Sequence, residues 1–374
     1  MAFSSIIGQE RTKRLLTAAW KSGTITGAYL FYGISGVGKD ALAMEFAKLL
    51  NCENSSDAGA CGTCHSCKRA AAMQHPNIKF ICALPLGKNE DARRDDPISK
   101  LEPDTLQAVK DELQKKWADP YYTIAIPKAR EIKLSSVREI KKELSFSSQG
   151  GKRVVIISHA EDMNTQSQNA LLKTLEEPPT NTVFILTSSA RNMLKATILS
   201  RCQLVRCDAL NTEEIARALV EREGIPSGTA ELYARLGAGS YADALRHNTE
   251  EFAEARKTAV DFLRFIAMKK YDEIYAAAEG MARLRDRTAI EEFIVSLSIW
   301  FRDAEALRSG GRDALLETDM EETLAKFNER YPHTRCDVAV KRLNAASNQV
   351  RQNVNIQIII RSLAADLHAA LEAA

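Results

Sequence analysis

The sequence predicts an α/β domain built on a parallel sheet, followed by a small helical module and an all-helical C-terminal domain. In the first half, short apolar runs alternate with amphipathic stretches, the order that strands joined by helical crossovers produce. Arg153–Ile157 and Thr182–Thr187 are rich in apolar and β-branched residues without alternation, as befits strands buried on both faces. After about Asp208 the strand pattern stops and only helical periodicity remains. At 374 residues the chain has length for two or three domains, and the expected boundaries are 1–207, 208–249 and 250–374.

The elements follow in order. Ala28–Tyr32 is a strand that runs into a glycine-rich loop, and Lys39–Leu50 is a helix with Leu42, Phe46 and Leu49 on one face. Ile78–Leu84 is a second apolar run. Ser135–Leu144 is an amphipathic helix with Ser135 or Ser136 as its N-cap. Thr165 and Gln168 have capping-box spacing, and Pro178-Pro179 stops the helix that they open. Asn211 with Glu214 opens the helical module, whose first helix ends at Gly224 before Pro226. Glu231–Leu236 and Ala242–Arg246 read as two further short helices. Near the C-terminus, Ile356, Ile359, Ile360, Leu363 and Leu367 form an apolar helical stripe. The charge-dense stretch Lys88–Lys116, with Asp91, Arg93, Arg94, Asp95 and Asp96, reads as a solvated insertion, helical from Thr105.

Composition narrows the function classes. Hydrophobic residues are 45% and charged residues 27% of the chain, the balance of a globular protein and not of a disordered one. A net charge of +2 excludes the strongly basic signature of a nucleic-acid coat, though not a local basic patch. No apolar run approaches the ~20 residues that span a bilayer, and no signal peptide is visible. The expected location is the cytoplasm.

Gly33-Ile-Ser-Gly-Val-Gly-Lys-Asp40 has the Gly-x4-Gly-Lys spacing of a Walker A loop, after a strand and before a helix. Gly33, Gly36 and Gly38 let backbone N–H groups curl around phosphate, and Lys39 reaches the terminal phosphates. The next residue should be Ser or Thr, whose hydroxyl holds Mg²⁺; here it is Asp40. A carboxylate at ~4 Å from a phosphate is repelled by about 4 kcal/mol at an effective dielectric near 20. A divalent ion can bridge the two, so Asp40 puts ATP and Mg²⁺ binding in question without excluding them. The acidic pair expected at the tip of the next buried strand is replaced by Ser158-His159, with Glu161 and Asp162 too late to stand there. Hydrolysis in cis therefore lacks its carboxylates, and a lone His159 reads more readily as structural than as a base.

Cys52-x8-Cys61-x2-Cys64-x2-Cys67 has the spacing of a closed four-thiolate Zn²⁺ knuckle. Free or redox-active thiols are the rival reading. Arg201, in Ile198-Leu-Ser-Arg-Cys202, would on its own be a surface ion-pair residue. Beside a Walker-like loop it has a second reading, stabilising transition-state charge on a phosphate held by a neighbouring chain.

These segments resemble the delta-prime family of bacterial DNA polymerase III clamp-loader subunits, within the AAA+ superfamily. The resemblance rests on Ile6–Gln9, Ala28–Phe31, the Gly33–Lys39 loop, the four cysteines, Asn169-Ala-Leu-Leu-Lys-Thr-Leu-Glu-Glu-Pro178, Ile198–Cys202 and Asn353-Val-Asn355. It implies an α/β AAA+ module with an inserted zinc knuckle at 52–67, a helical lid and an all-α collar that joins a ring of five subunits. It further implies gamma/tau motor subunits and a delta subunit as partners, with the sliding clamp and primed DNA reached through the complex. Motor subunits of that family carry Ser/Thr, an acidic pair and a lid arginine where this sequence has Asp40, Ser158-His159 and Ala242. Arg201 is kept, and the resemblance makes it a trans-acting arginine finger. The alternatives are an ATPase-competent motor subunit and a zinc-stapled scaffold with a vestigial loop.

Overall fold

The computed structural model describes residues 3, 5–57, 59–91, 95–145, 150–284, 287–351 and 354–372; Arg93, Arg94 and Asn353 lie outside them. The chain divides into two compact units, 1–227 with 237–243 and 228–236 with 244–374.

In the first unit the elements run α1 (Glu10–Ser22), β1 (Ala28–Tyr32), α2 (Lys39–Asn51), α3 (His65–Ala71), β2 (Ile78–Ile81), α4 (Pro103–Ala118) and α5 (Leu134–Ser145). Then come β3 (Arg153–Ile157), α6 (Thr165–Glu176), β4 (Thr182–Ser188), α7 (Ala196–Leu199), β5 (Gln203–Arg206) and α8 (Thr212–Glu223). The five strands form one sheet in the order β2-β3-β4-β1-β5, with every pairing parallel. This is the expected α/β arrangement on a parallel sheet, with the glycine loop leaving the carboxyl end of β1. The unbroken apolar runs have the predicted cause: every residue of β4 is buried, as are Val154–Ile157 of β3.

Local signals held with small shifts. Asn211 and Glu214 make the capping box of α8, and Gly224 closes it at φ 67°. For α6 the cap is Asn164, not Thr165: its side chain accepts from the N–H groups of Gln166 and Ser167 at 3.1 and 2.9 Å. Asn is among the strongest N-caps, and it stands one residue upstream of the weaker Thr. Ser135 and Ser136 lie inside α5 instead of capping it.

The Lys88–Lys116 stretch differs most from expectation. Its described residues pack into the unit, with Val109 of α4, Cys82 and Ile126 forming a small core against Phe80, Leu101 and Leu113. Glu90 and Lys133 make a buried ion pair, and the Lys133 ammonium also donates to the Pro97 carbonyl at 2.9 Å. Trp117 stands edge-on to Phe80 and donates its indole N–H to the Ala70 carbonyl, tying α4 to α3. The charges that read as solvent-facing are partly internal partners, which composition alone does not reveal.

The rest of the chain is helical: α9 (Ser227–Leu236), α10 (Tyr241–Arg246), α11 (Glu250–Ala267), α12 (Tyr271–Leu284), α13 (Arg287–Arg308), α14 (Glu321–Arg330), α15 (Cys336–Arg351) and α16 (Ile356–Leu371). The core of the second unit joins Phe262, Phe293, Phe301, Leu343 and the α16 stripe of Ile359, Ile360, Leu363 and Leu367. No described helix is long and apolar enough to cross a membrane.

Candidate functional site

The glycine loop and the start of α2 bring together the expected residues Gly33, Gly36, Gly38, Lys39 and Asp40. Lys39 is buried, and its ammonium donates to the carbonyls of Gly33 and Ile34 at 3.0 and 2.7 Å and to Ser189 Oγ at 3.0 Å. Burial lowers its pKa, with Asp40 acting the other way.

Asp40 is the second residue of α2 and faces the carboxyl ends of β3 and β4. Its Oδ2 accepts from Ser158 Oγ at 2.8 Å and its Oδ1 from Thr187 Oγ1 at 2.7 Å. The third partner was not legible in the motif. Lys116, near the end of α4, places its ammonium 3.1 Å from Asp40 Oδ2, with the two side chains only 5% and 11% exposed. The same ammonium donates to the carbonyls of Pro120 and Tyr122, each at 2.8 Å, so its three N–H groups all have oxygen partners. Burial opposes ionisation of Asp40, yet Lys116, then His159 and the hydroxyls of Thr187 and Ser158, hold its carboxyl well below the usual range.

Carboxylate and hydroxyl have therefore changed places across this site. A Walker site has the hydroxyl on the helix and the acid at the strand tip; here Asp40 is on the helix and Ser158 follows β3. The repulsion that Asp40 would impose on phosphate is met by an internal cation. His159 stands next, at φ 51°, with its Nδ1 3.7 Å from Glu161 Oε1. Burial raises the Glu161 pKa, but His159 and the Ser189 N–H outweigh it and bring it to about 2. His159 and Glu161 thus engage each other at the edge of the loop.

Two glycines show what the loop faces. A Cβ on Gly38, at φ 89°, would meet the Tyr121 ring at 2.7–2.9 Å. A Cβ on Gly36, at φ 72°, would meet Ser240 Oγ at 2.0 Å, and the Gly36 carbonyl accepts from the N–H groups of Tyr241 and Ala242 at 3.1 and 3.3 Å. Ala242 thus packs on the loop at the position where the sequence pattern lacks a lid arginine.

Arg201 lies elsewhere. It precedes β5, whose residues Tyr29↔Gln203 to Tyr32↔Arg206 pair in parallel with β1. The glycine loop leaves β1 at its carboxyl end, so Arg201 is at the opposite end of the sheet, roughly 13 Å or more away along a four-residue strand. Its Nε and Nη2 donate to Glu176 Oε2 at 3.1 and 2.8 Å, and its Nη1 donates to the Thr197 carbonyl at 3.0 Å. Glu176 belongs to the Leu-Leu-Lys-Thr-Leu-Glu-Glu-Pro segment, so two separate motifs of the sequence meet in one ion pair.

The four expected cysteines also come together. The sulfurs of Cys52, Cys61, Cys64 and Cys67 lie within 4.8 Å of one another, with Cys52 and Cys64 at 4.0 Å. Thiolates at about 2.3 Å from a tetrahedral ion stand about 3.8 Å apart, so the cluster fits a metal ion such as zinc with little movement. Backbone N–H groups support it: Cys61 donates to Cys52 Sγ at 3.2 Å, and Cys64 and Cys67 donate to Cys61 and Cys64 Sγ, each at 3.3 Å. The N–H groups of Cys64 and Thr63 bring the Cys61 thiol down to about 6.

The family model described as "DNA polymerase III, delta subunit" matches residues 8–211. The chain is 24% identical over 358 residues to DNA polymerase III subunit delta' of Bacillus subtilis, which covers 95% of this chain and 94% of that one. It is 30% identical over 249 residues to DNA polymerase III subunit tau of Escherichia coli, covering 65% of this chain but only 32% of tau. A solved DNA polymerase III gamma subunit-related protein from Thermotoga maritima aligns with 96% of this chain and 99% of its own, at a TM-score of 0.47 and 14% identity.

Proposed function

The chain belongs to the DNA polymerase III, delta subunit family, and from that premise we propose that it is a clamp-loader subunit that does not hydrolyse ATP itself and lends Arg201 to a neighbouring motor subunit. Membership carries the coarse role, participation in DNA replication. The finer reading is supported above all by one observation, the buried Lys116–Asp40 pair in the place where a motor subunit assembles Mg²⁺. Ser158 and Lys116 engage one oxygen of Asp40 and Thr187 the other, so the charge that would hold a metal is already paired with an internal cation.

Arg201 complements this reading. At the far end of its own sheet it has no reach to its own loop, so a phosphate within its range belongs to another chain. Glu176 orients the guanidinium while leaving it partly accessible, at 29% exposure. The partners in this reading are gamma/tau motor subunits and a delta subunit in a heteropentamer, which reaches the sliding clamp and primed DNA in the cytoplasm. The segment 208–249 serves as the lid and the segment 250–374 as the collar.

The isolated chain is expected to show no ATP turnover above background with Mg²⁺, with or without primed DNA. Steady release of phosphate from the pure chain would make it a motor instead. Zinc is the metal proposed for the cysteine cluster, as a structural staple. Metal analysis is expected to find about one zinc per chain. Cys64→Ser is expected to lower that content sharply and to reduce the thermal stability of the first unit. A cluster that holds no zinc when purified under reducing, chelator-free conditions would contradict this assignment.

A further inference from the structure

We infer that the phosphate loop of this chain already has its ligand, and that the ligand is the chain's own segment 116–121. The Lys116 ammonium stands in for the divalent cation, and the Tyr121 ring covers the bare face of Gly38 that a phosphate-binding loop keeps open. This deepens the proposed reading and rests on it only in taking the loop as one that does not turn over ATP.

Lys116 meets the requirements of a built-in cation. Its donors face one carboxylate oxygen, Asp40 Oδ2, and two carbonyl oxygens, those of Pro120 and Tyr122. Carboxylate and carbonyl oxygens are the donor set that a hard divalent ion takes. A tethered ammonium supplies the positive charge without an ion to be exchanged. Removing a bound Mg²⁺ is a matter of concentration, whereas the Lys116 ammonium is tethered to α4.

Tyr121 completes the filling. Glycine is used in such loops so that phosphate oxygens can approach the backbone; at Gly38 the approaching group is an aromatic ring. That ring is fixed from three sides. Its hydroxyl accepts the Ile7 N–H at 2.7 Å, Tyr241 lies edge-on at 5.0 Å, and the Arg222 guanidinium stands over it at 5.3 Å. Lys39 is turned back onto its own loop, and the Gly36 carbonyl is held by Tyr241 and Ala242. The remaining cleft between the loop and residues 120–126 measures about 220 Å³, below the roughly 300–1,000 Å³ typical of small-molecule sites.

The segment is also anchored behind the site. Glu112 accepts from the Tyr122 hydroxyl at 2.9 Å and from the Ala125 N–H at 2.7 Å, which pins the turn after α4. Val109 and Ile126 pack with Cys82 beside it. A phosphate brought against Gly38 would have to displace Tyr121 from this anchored segment. The loop conformation is then held by contacts within this chain.

Hydrogen exchange of the full-length chain, followed on peptides covering residues 33–42, tests the inference with Mg²⁺-ATP as the probe. In the unaltered chain, loop exchange is expected to be the same with and without Mg²⁺-ATP, and Tyr121→Phe, which keeps the ring, is expected to behave alike. Tyr121→Ala is expected to speed loop exchange by about tenfold or more, while β1 and β4 keep their protection. Slowing of the unaltered loop by ATP would overturn the inference. So would unchanged exchange in Tyr121→Ala, or acceleration spread equally through β1 and β4, which would make Tyr121 an ordinary core residue. None of these readings measures turnover. Their failure leaves the role of Arg201 standing, and failure of Arg201 leaves the filled loop standing.

Discussion

Replacing Lys116 with methionine is expected to destabilise the first unit by about 3–5 kcal/mol, the cost of leaving a buried charge without its partner. Methionine keeps much of the side chain's length and apolar volume, so the loss reports the missing charge and donors more than a cavity. Asp40 would retain only the hydroxyls of Ser158 and Thr187, and the carbonyls of Pro120 and Tyr122 would lose their shared donor. Adding Asp40→Asn should return part of the loss, since a neutral amide tolerates burial better than an unpaired carboxylate. The coupling in that double-mutant cycle is expected at about 1–3 kcal/mol. Urea unfolding followed by tryptophan fluorescence measures it, and a Trp300→Phe background removes the second unit's signal, because the other tryptophans, Trp20 and Trp117, lie in the first unit. A cost below about 1 kcal/mol for Lys116→Met, with no coupling to Asp40, would place the pair among weak surface bridges.

Lys116 also marks where the sequence stopped being readable. The glycine loop, the cysteine knuckle and the strand alternation are local in sequence: each needs only a spacing or a period, and each stands where it was expected. Asp40 was legible as a departure from the loop pattern, but its partner is 76 residues further on, inside a stretch whose composition reads as solvated. Periodicity cannot tell a lysine that faces water from one whose ammonium is buried against a carboxylate and two carbonyls. The alternation of charges from Lys88 to Lys116 looks the same in either case. One signal was available. An unpaired acid at the head of a buried helix demands a cation, and Lys116 lies in a helix with apolar Val109 and Leu113 on its inward side. The Arg201–Glu176 pair was hidden for the same reason, because both motifs were visible and only the fold brings them into contact.

Arg201→Ala in this chain alone is expected to reduce the DNA-stimulated ATPase of the reconstituted loader. Arginine fingers are worth about 10³–10⁵ in kcat at the site they serve. The motor site next to this chain should therefore be nearly silent, and the assembly's turnover should fall by at least that site's share, further if the sites fire in order. Arg201→Lys is not expected to rescue it, because a lysine lacks the planar fork that two oxygens can share. Glu176→Gln, which weakens the orienting contact without touching the guanidinium, should have a smaller effect in the same direction. Neither Arg201 nor Glu176 belongs to the buried core, so the folded chain and its place in the complex should survive these changes.

The most direct measurement is the steady-state ATPase of the assembled loader on primed DNA, with Arg201→Ala carried only by this chain and the isolated unaltered chain run alongside. The account predicts a silent isolated chain and a complex that assembles normally but loses the turnover of the adjacent motor site. An isolated chain that hydrolyses ATP, together with an Arg201→Ala complex that turns over at the unaltered rate, would contradict it.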